Sequence, residues 1–144
     1  MSRVQVALNV GDLDASIAFY SKLFRTAPAK VRDGYANFAI TEPPLKLVLI
    51  AGQGEPGTLN HIGVEVESTD EVAEAASRMN GELEESTTCC YAVQDKVWVT
   101  GPEIPWEIYT VLADAATMAP VVGECCVPEA AVPVAVGARP DACC

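Results

Sequence analysis

Hydrophobic and polar positions alternate almost from the start of the chain. In RVQVALNV (3–10), Val4, Val6, Leu8 and Val10 share one face and Gln5 and Asn9 the other, which predicts a strand. GDLDASIAFYSKLF then changes period. Leu13, Ile17, Tyr20 and Phe24 recur at helical spacing, with Asp12 placed to cap. GYANFAI (34–40) and LKLVLI (45–50) read as strands joined through Pro43-Pro44, and GQGEPG (52–57) as a turn-rich linker. LNHIGVEV (59–66) is a strand again. A helix follows from about Thr69 to Met79, with Ser68 and Glu71 spaced as a capping box. Part of 82–94, KVWVTG (96–101) and PWEIYTVL (105–112) supply further strands.

The second half restates the first. VQVALNV from Val4 lies over NHIGVEV from Asn60, so Gln5 falls on His61; PLKLVLI from Pro44 lies over PWEIYTV from Pro105, so Lys46 falls on Glu107. The expected fold is α+β, a tandem pair of βαβββ modules around a shared cleft. Module 1 covers about 1–51 and module 2 about 58–112, together one domain at 1–112. Residues 113–144, rich in Ala, Val and Pro without sustained period, read as an irregular cysteine-containing tail.

Composition narrows the partners. Of 144 residues, 20 are acidic and nine basic, a formal net charge of −11 that repels nucleic acid and anionic membrane. MSRVQVALNV lacks the apolar run of a signal peptide, and no stretch is apolar enough to span a bilayer. The expectation is a cytoplasmic monomer or homodimer whose six cysteines are reduced. These stand in adjacent pairs, Cys89-Cys90, Cys125-Cys126 and Cys143-Cys144. Adjacent Cα atoms lie about 3.8 Å apart, below the roughly 4.4 Å an ordinary disulfide needs, so bonds within a pair are disfavoured.

His61 is the sole histidine, on the strand face opposite Ile62 and Val64. Glu107 opposes Trp106 and Ile108, and Gln5 opposes its own strand's aliphatic face. Each alone reads equally as an ordinary strand residue. The repeat makes their positions equivalent in space, and an imidazole, a carboxylate and an amide oxygen suit a divalent first-row metal. Lys46 stands at the fourth position and cannot ligate when protonated. Three ligands would leave positions open, as in non-haem Fe(II) oxygen chemistry. Tyr35, Asn37, Tyr109 and Val111 read first as packing positions, with a place in the pocket lining as the alternative.

With these segments in view, the chain resembles the vicinal oxygen chelate superfamily. VQVALNVGDLDASIAFYSKLF, GTLNHIGVEVESTDEV, TTCCYAVQDKVWVTGP and PWEIYTVLADA resemble its organoarsenical C–As lyases and the related cadmium-induced proteins. That resemblance implies Fe(II)-dependent, dioxygen-using cleavage of the carbon–arsenic bond of trivalent organoarsenicals, methylarsenite or reduced aromatic arsenicals, to arsenite. It implies Gln5, His61 and Glu107 as metal-binding catalytic residues. Fe(II) is the expected metal, though Ni, Co, Zn or Cd would also suit such a site. It also implies Cys89 and Cys90 as the substrate-binding thiols.

A monosubstituted As(III) keeps one bond to carbon and has two left for sulfur, which matches two thiolates. To clasp one arsenic the pair must leave regular strand geometry, where neighbours point apart. The alternative is a soft-metal-binding resistance protein without turnover. The tail pairs read either as capture sites for arsenicals or as opportunistic thiols. GELEES, before TTCC, is shorter than the resemblance leads one to expect, which leaves the loop there open.

Overall fold

The computed structural model describes residues 1–118. Cys125, Cys126, Cys143 and Cys144, with nearly all of the expected tail, lie outside that range. The described elements run β1 (Arg3–Val10), α1 (Leu13–Phe24), β2 (Lys30–Arg32), β3 (Tyr35–Ile40), β4 (Leu45–Ala51), β5 (Leu59–Glu65), α2 (Thr69–Met79), β6 (Leu83–Cys89), β7 (Ala92–Thr100) and β8 (Pro105–Asp114). The strands form one mixed sheet, ordered β2-β3-β4-β1-β5-β8-β7-β6 and curled into a half-barrel. That order is a palindrome of two βαβββ halves. β1 pairs parallel with β4 and β5 parallel with β8, and the halves meet where β1 and β5 run antiparallel.

Both helices start as their sequences require. Asp12 accepts a hydrogen bond from Ala15 N at 2.9 Å, and Ser68 with Glu71 forms a complete capping box. They pack on the same face of the sheet. Leu13, Ile17, Tyr20 and Phe24 of α1 cover Val6, Leu8, Phe38 and Leu49; Val72, Ala75 and Ala76 of α2 cover Val97 and Ile108. Among the described residues, no helix is long and apolar enough to cross a membrane.

The sequence pattern and the structure part company in three places. The three-residue strand β2 lies in a segment the alternation leaves unassigned, pairing with β3 through Lys30↔Asn37 to Arg32↔Tyr35. β8 runs on to Asp114, two residues beyond the strand expected over 105–112. The strand expected within 82–94 is β6, and it is bulged between Glu84 and Thr87 where it pairs with β7. Asp95 of β7 fixes that bulge by accepting from Ser86 N at 2.7 Å, and it also accepts from the Thr69 hydroxyl of α2.

Burial inverts the naive reading of β1. Val6, Leu8 and Val10 are only partly buried under α1, whereas Gln5 is 4 % exposed on the face away from the helices. Lys46, His61, Gln94, Lys96 and Glu107 are buried as well. The register also differs between the halves. Gln5 lies opposite Lys46, yet Glu107 lies opposite Gly63 rather than His61, a two-residue displacement of the second ladder. Lys46 is therefore not the ladder counterpart of Glu107; Val48, opposite Ala7, is.

At Gly63 β5 lies tight against β8. A Cβ there would stand 2.7 Å from the Glu107 carbonyl oxygen and 3.3 Å from the Glu107 Cβ. Gly63→Ala is expected to lower stability in urea unfolding by about 1–3 kcal/mol through overpacking. Ser68→Ala removes one capping acceptor at the far end of α2, with an expected loss of about 1 kcal/mol.

Candidate active site

Three side chains from three adjacent strands converge on the inner face. Gln5 Nε2 lies 2.9 Å from His61 Nε2 and 3.1 Å from Glu107 Oε2, and His61 Nε2 is 3.5 Å from Glu107 Oε2. Metal donor atoms bound at about 2.1 Å and at right angles lie about 3 Å apart; the three side chains stand that close, with the amide nitrogen of Gln5 rather than its oxygen turned inward. Among the described residues, no three His, Cys, Asp or Glu side chains are grouped to hold a metal. The third side chain of this trio is the amide of Gln5.

Neighbouring groups orient the set. His61 Nδ1 is 2.8 Å from Asn60 Oδ1, an acceptor that fixes the ring proton on Nδ1 and leaves the Nε2 lone pair facing inward. The edge of the His61 ring meets Trp98, with centroids 5.6 Å apart. Lys96 Nζ is 3.4 Å from Glu107 Oε1. Burial alone would raise the Glu107 carboxyl. The neighbouring His61 and the charges of Lys96 and Lys46 outweigh burial and lower its pKa to about 2. Glu107 is thus held as a carboxylate.

On the other side of Gln5, Tyr109 Oη lies 2.6 Å from Gln5 Oε1 and 3.1 Å from Glu65 Oε2. Burial, then the Glu65 and Glu107 charges, push the Tyr109 phenol well above its ordinary range, so it keeps its proton. Arg3 holds Glu65 in two hydrogen bonds, at 3.0 and 3.1 Å. Lys46 Nζ stands 3.5 Å from Glu65 and over the Tyr109 ring.

Cys89 closes β6, and Cys90 and Tyr91 form the two-residue turn into β7, both with left-handed φ, 55° and 59°. Cys90 thus leaves strand geometry while Cys89 stays in it, and β7 starts four residues earlier than the KVWVTG strand suggests. The sulfurs of Cys89 and Cys90 are 3.4 Å apart, well beyond the about 2.05 Å of a disulfide.

The turn sits against the inner face of module 1. Cys90 and Tyr91 pack on the cluster of Ala7, Tyr35, Val48 and Ile50. Lys30 Nζ and Ala115 N donate to Tyr91 O at 2.8 and 3.0 Å, and Cys90 N donates to Met118 O at 2.7 Å. Gln94 Nε2 reaches Cys89 O at 3.4 Å.

Gln5, His61, Glu107 and Tyr109 are thus brought into one network. Tyr35 stands beside the thiol turn, and Asn37 donates to its hydroxyl at 2.9 Å. Val111 is exposed. Sequence alternation does not single out Lys96, although KVWV places Lys96 and Trp98 on the face opposite Val97 and Val99, the signal that could have found them. Arg3, Asn60, Glu65 and Gln94 carry no local signal. Two buried atoms on this stretch of β7, Gln94 Oε1 and Trp98 Nε1, have no hydrogen-bond partner among the described residues.

Comparison with known proteins agrees with this architecture. Residues 3–82 match the model of the Glyoxalase/Bleomycin resistance protein/Dioxygenase superfamily. A protein of Thermomonospora curvata named trivalent organoarsenical cleaving enzyme is 62% identical over 136 residues, 89% of this chain and 90% of its own length. The cadmium-induced protein CadI of Mycobacterium tuberculosis is 59% identical over 123 residues, 81% of each chain. Among solved structures, an extradiol ring-cleaving dioxygenase from B. fuscum superposes with a TM-score of 0.58 at 19% identity, covering 78% of this chain and 33% of that one. A Mn(II)-bound glyoxalase from Novosphingobium aromaticivorans gives 0.52 at 18%, covering 81% and 42%. At those identities the likeness is one of fold. With more than half its length matched by the family model and two relatives near 60% identity spanning most of it, the chain belongs to the glyoxalase/bleomycin resistance protein/dioxygenase superfamily.

Proposed function

We propose that the protein is a metal-dependent C–As lyase that cleaves the carbon–arsenic bond of trivalent organoarsenicals, with arsenite as the inorganic product. The observation that carries this reading is that a buried amide–imidazole–carboxylate triad and an adjacent-cysteine turn lie on the same inner face of one half-barrel. The organoarsenical-cleaving relative from Thermomonospora curvata supports it.

Gln5, His61 and Glu107 would hold a divalent cation, Fe(II) on this reading, through one amide oxygen, Nε2 and one carboxylate oxygen. When bound, that ion supplies Lewis acidity and redox chemistry toward dioxygen. The chain supplies the rest. Reduced Cys89 and Cys90 exchange the two As–O bonds of a dihydroxy organoarsenical for As–S bonds, each thiol proton leaving with hydroxide as water. The arsenic is then fixed at the turn with its organic group free to lie along the apolar patch of Ala7, Val48 and Ile50. Lys96 and Lys46 help hold Glu107 ionised, and Asn60 keeps His61 in the tautomer that presents Nε2. Gln94 Oε1 and Trp98 Nε1 offer an acceptor and a donor to a substrate hydroxyl or water.

A second reading is favoured by the CadI likeness: a protein that sequesters a soft metal on the same thiols without turnover. One assay separates the two. Protein loaded with Fe(II) under reducing conditions, then given methylarsenite and air, is expected to release arsenite, measured by chromatographic separation of arsenic species. Stoichiometric Cd(II) binding with no arsenite formed would replace the first reading by the second. In the lyase, His61→Ala is expected to lower kcat/KM by ~10²-fold or more, since metal Lewis acidity is worth several kcal/mol. Cys90→Ser, leaving one soft donor, is expected to lower it by ~10-fold or more, equivalent to at least about 1.4 kcal/mol. Full activity in Cys90→Ser would remove the thiols from the mechanism.

A further inference from the structure

The phenol of Tyr109 has one proton and two close oxygen neighbours. Gln5 Oε1 is at 2.6 Å and Glu65 Oε2 at 3.1 Å, and both of those oxygens only accept. A single proton cannot serve both. Meanwhile Gln5 Nε2 points between His61 Nε2 and Glu107 Oε2, where a cation held by the triad would need the amide oxygen. Turning the amide end for end answers both difficulties. Gln5 Nε2 then donates to the Tyr109 oxygen, Tyr109 donates its proton to Glu65, and Gln5 Oε1 faces inward.

Glu65 cannot readily turn away from this arrangement. Arg3 grips it through two hydrogen bonds and Lys46 stands 3.5 Å from the same oxygen that faces Tyr109. The phenol proton therefore has a fixed destination outside the site, and the Tyr109 lone pairs are left for Gln5. His61 has a comparable outer partner in Asn60, and Glu107 in Lys96. Gln5 is the ligand that most needs one: it is neutral, and only one end of its amide can bind a cation.

We propose that Tyr109, with its proton drawn to Glu65, is a positioning residue that turns the Gln5 amide oxygen toward a divalent cation by accepting a hydrogen bond from Gln5 Nε2. This rests on the reading that Gln5, His61 and Glu107 hold such a cation. The uncomplexed site is then a latch: the amide nitrogen bridges His61 and Glu107 until the cation displaces it. Outer partners of metal ligands typically contribute 10–100-fold to affinity.

The test is Co(II) titration of the full-length reduced protein, followed by calorimetry and by the visible d–d bands. Tyr109→Phe is expected to raise Kd by ~10–100-fold and to shift the bands. In a Gln5→Glu background both ends of the side chain are oxygens, so adding Tyr109→Phe is expected to change Kd far less. Unchanged Kd and spectrum in Tyr109→Phe would overturn the proposal, as would the same loss in both backgrounds, which would mark Tyr109 as merely structural. Should Tyr109→Phe fail to fold by circular dichroism, Glu65→Ala is read instead. It frees the phenol proton for Gln5 Oε1 and is expected to weaken Co(II) binding, and an unchanged Kd would again overturn the proposal. His61→Ala separates the two levels. If it leaves Kd unchanged, the metal reading itself falls; if it abolishes binding while Tyr109→Phe does not alter it, only the role of Tyr109 falls.

Discussion

A carboxylate in the floor of the half-barrel sets the terms for everything around it. Glu107 is 2 % exposed, and an isolated ionised carboxylate at such a depth is prohibitively unfavourable without partners. The fold supplies Lys96 on one oxygen and the Gln5 amide with His61 on the other. Lys96, itself fully buried, has the same need in reverse. The two charges are mutually required, and their pairing links β7 to β8. A cation placed among Gln5, His61 and Glu107 would add to this balance rather than disturb it.

The two-fold repeat builds the site and is broken at the site. Ladder register places Gln5 opposite Lys46, while Glu107 slides two residues along to lie opposite Gly63. Absence of a side chain at Gly63 permits the close approach of β8, and the slide brings the carboxylate within reach of both β1 and β5. Module 1 keeps a lysine at the corresponding sequence position, and Lys46 serves Glu65 and Tyr109 instead. One half thus contributes the acid and the imidazole, and the other an amide with its supporting charges.

Alternation in the sequence is sufficient to place Gln5, His61 and Glu107 on one kind of strand face, and the repeat is sufficient to bring those strands together. Alternation cannot say which face is more deeply buried. In β1 the polar face is the buried one, because the curl of the sheet encloses it while α1 covers its aliphatic face only in part. The three residues of β2 are too few to show a period. Arg3 and Glu65 meet across 62 residues, and Tyr109 and Gln5 across 104, separations that only the folded β1–β5–β8 pairing closes. The hairpin turn escapes notice because it lacks the Asn-Gly or Asp-Gly signature that two left-handed residues normally display.

That missing signature bears on the thiols. Cys90 and Tyr91 both occupy left-handed backbone conformations that disfavour residues with a Cβ by about 1–2 kcal/mol each. Glycine would relieve the strain and would carry no sulfur. The surroundings hold the turn in place: Lys30 and Ala115 donate to Tyr91 O, Cys90 N donates to Met118 O, and the Tyr91 ring lies against Tyr35. These contacts come from the far edge of module 1 and from the chain after β8, not from the hairpin itself. Strain fixed by remote contacts is characteristic of sites where geometry matters more than local stability. Adjacent residues of a regular strand would send their side chains to opposite faces. At the junction of strand and left-handed turn, Cys89 and Cys90 instead bring their sulfurs to 3.4 Å on the side where the triad lies, the separation two donors to one soft atom require.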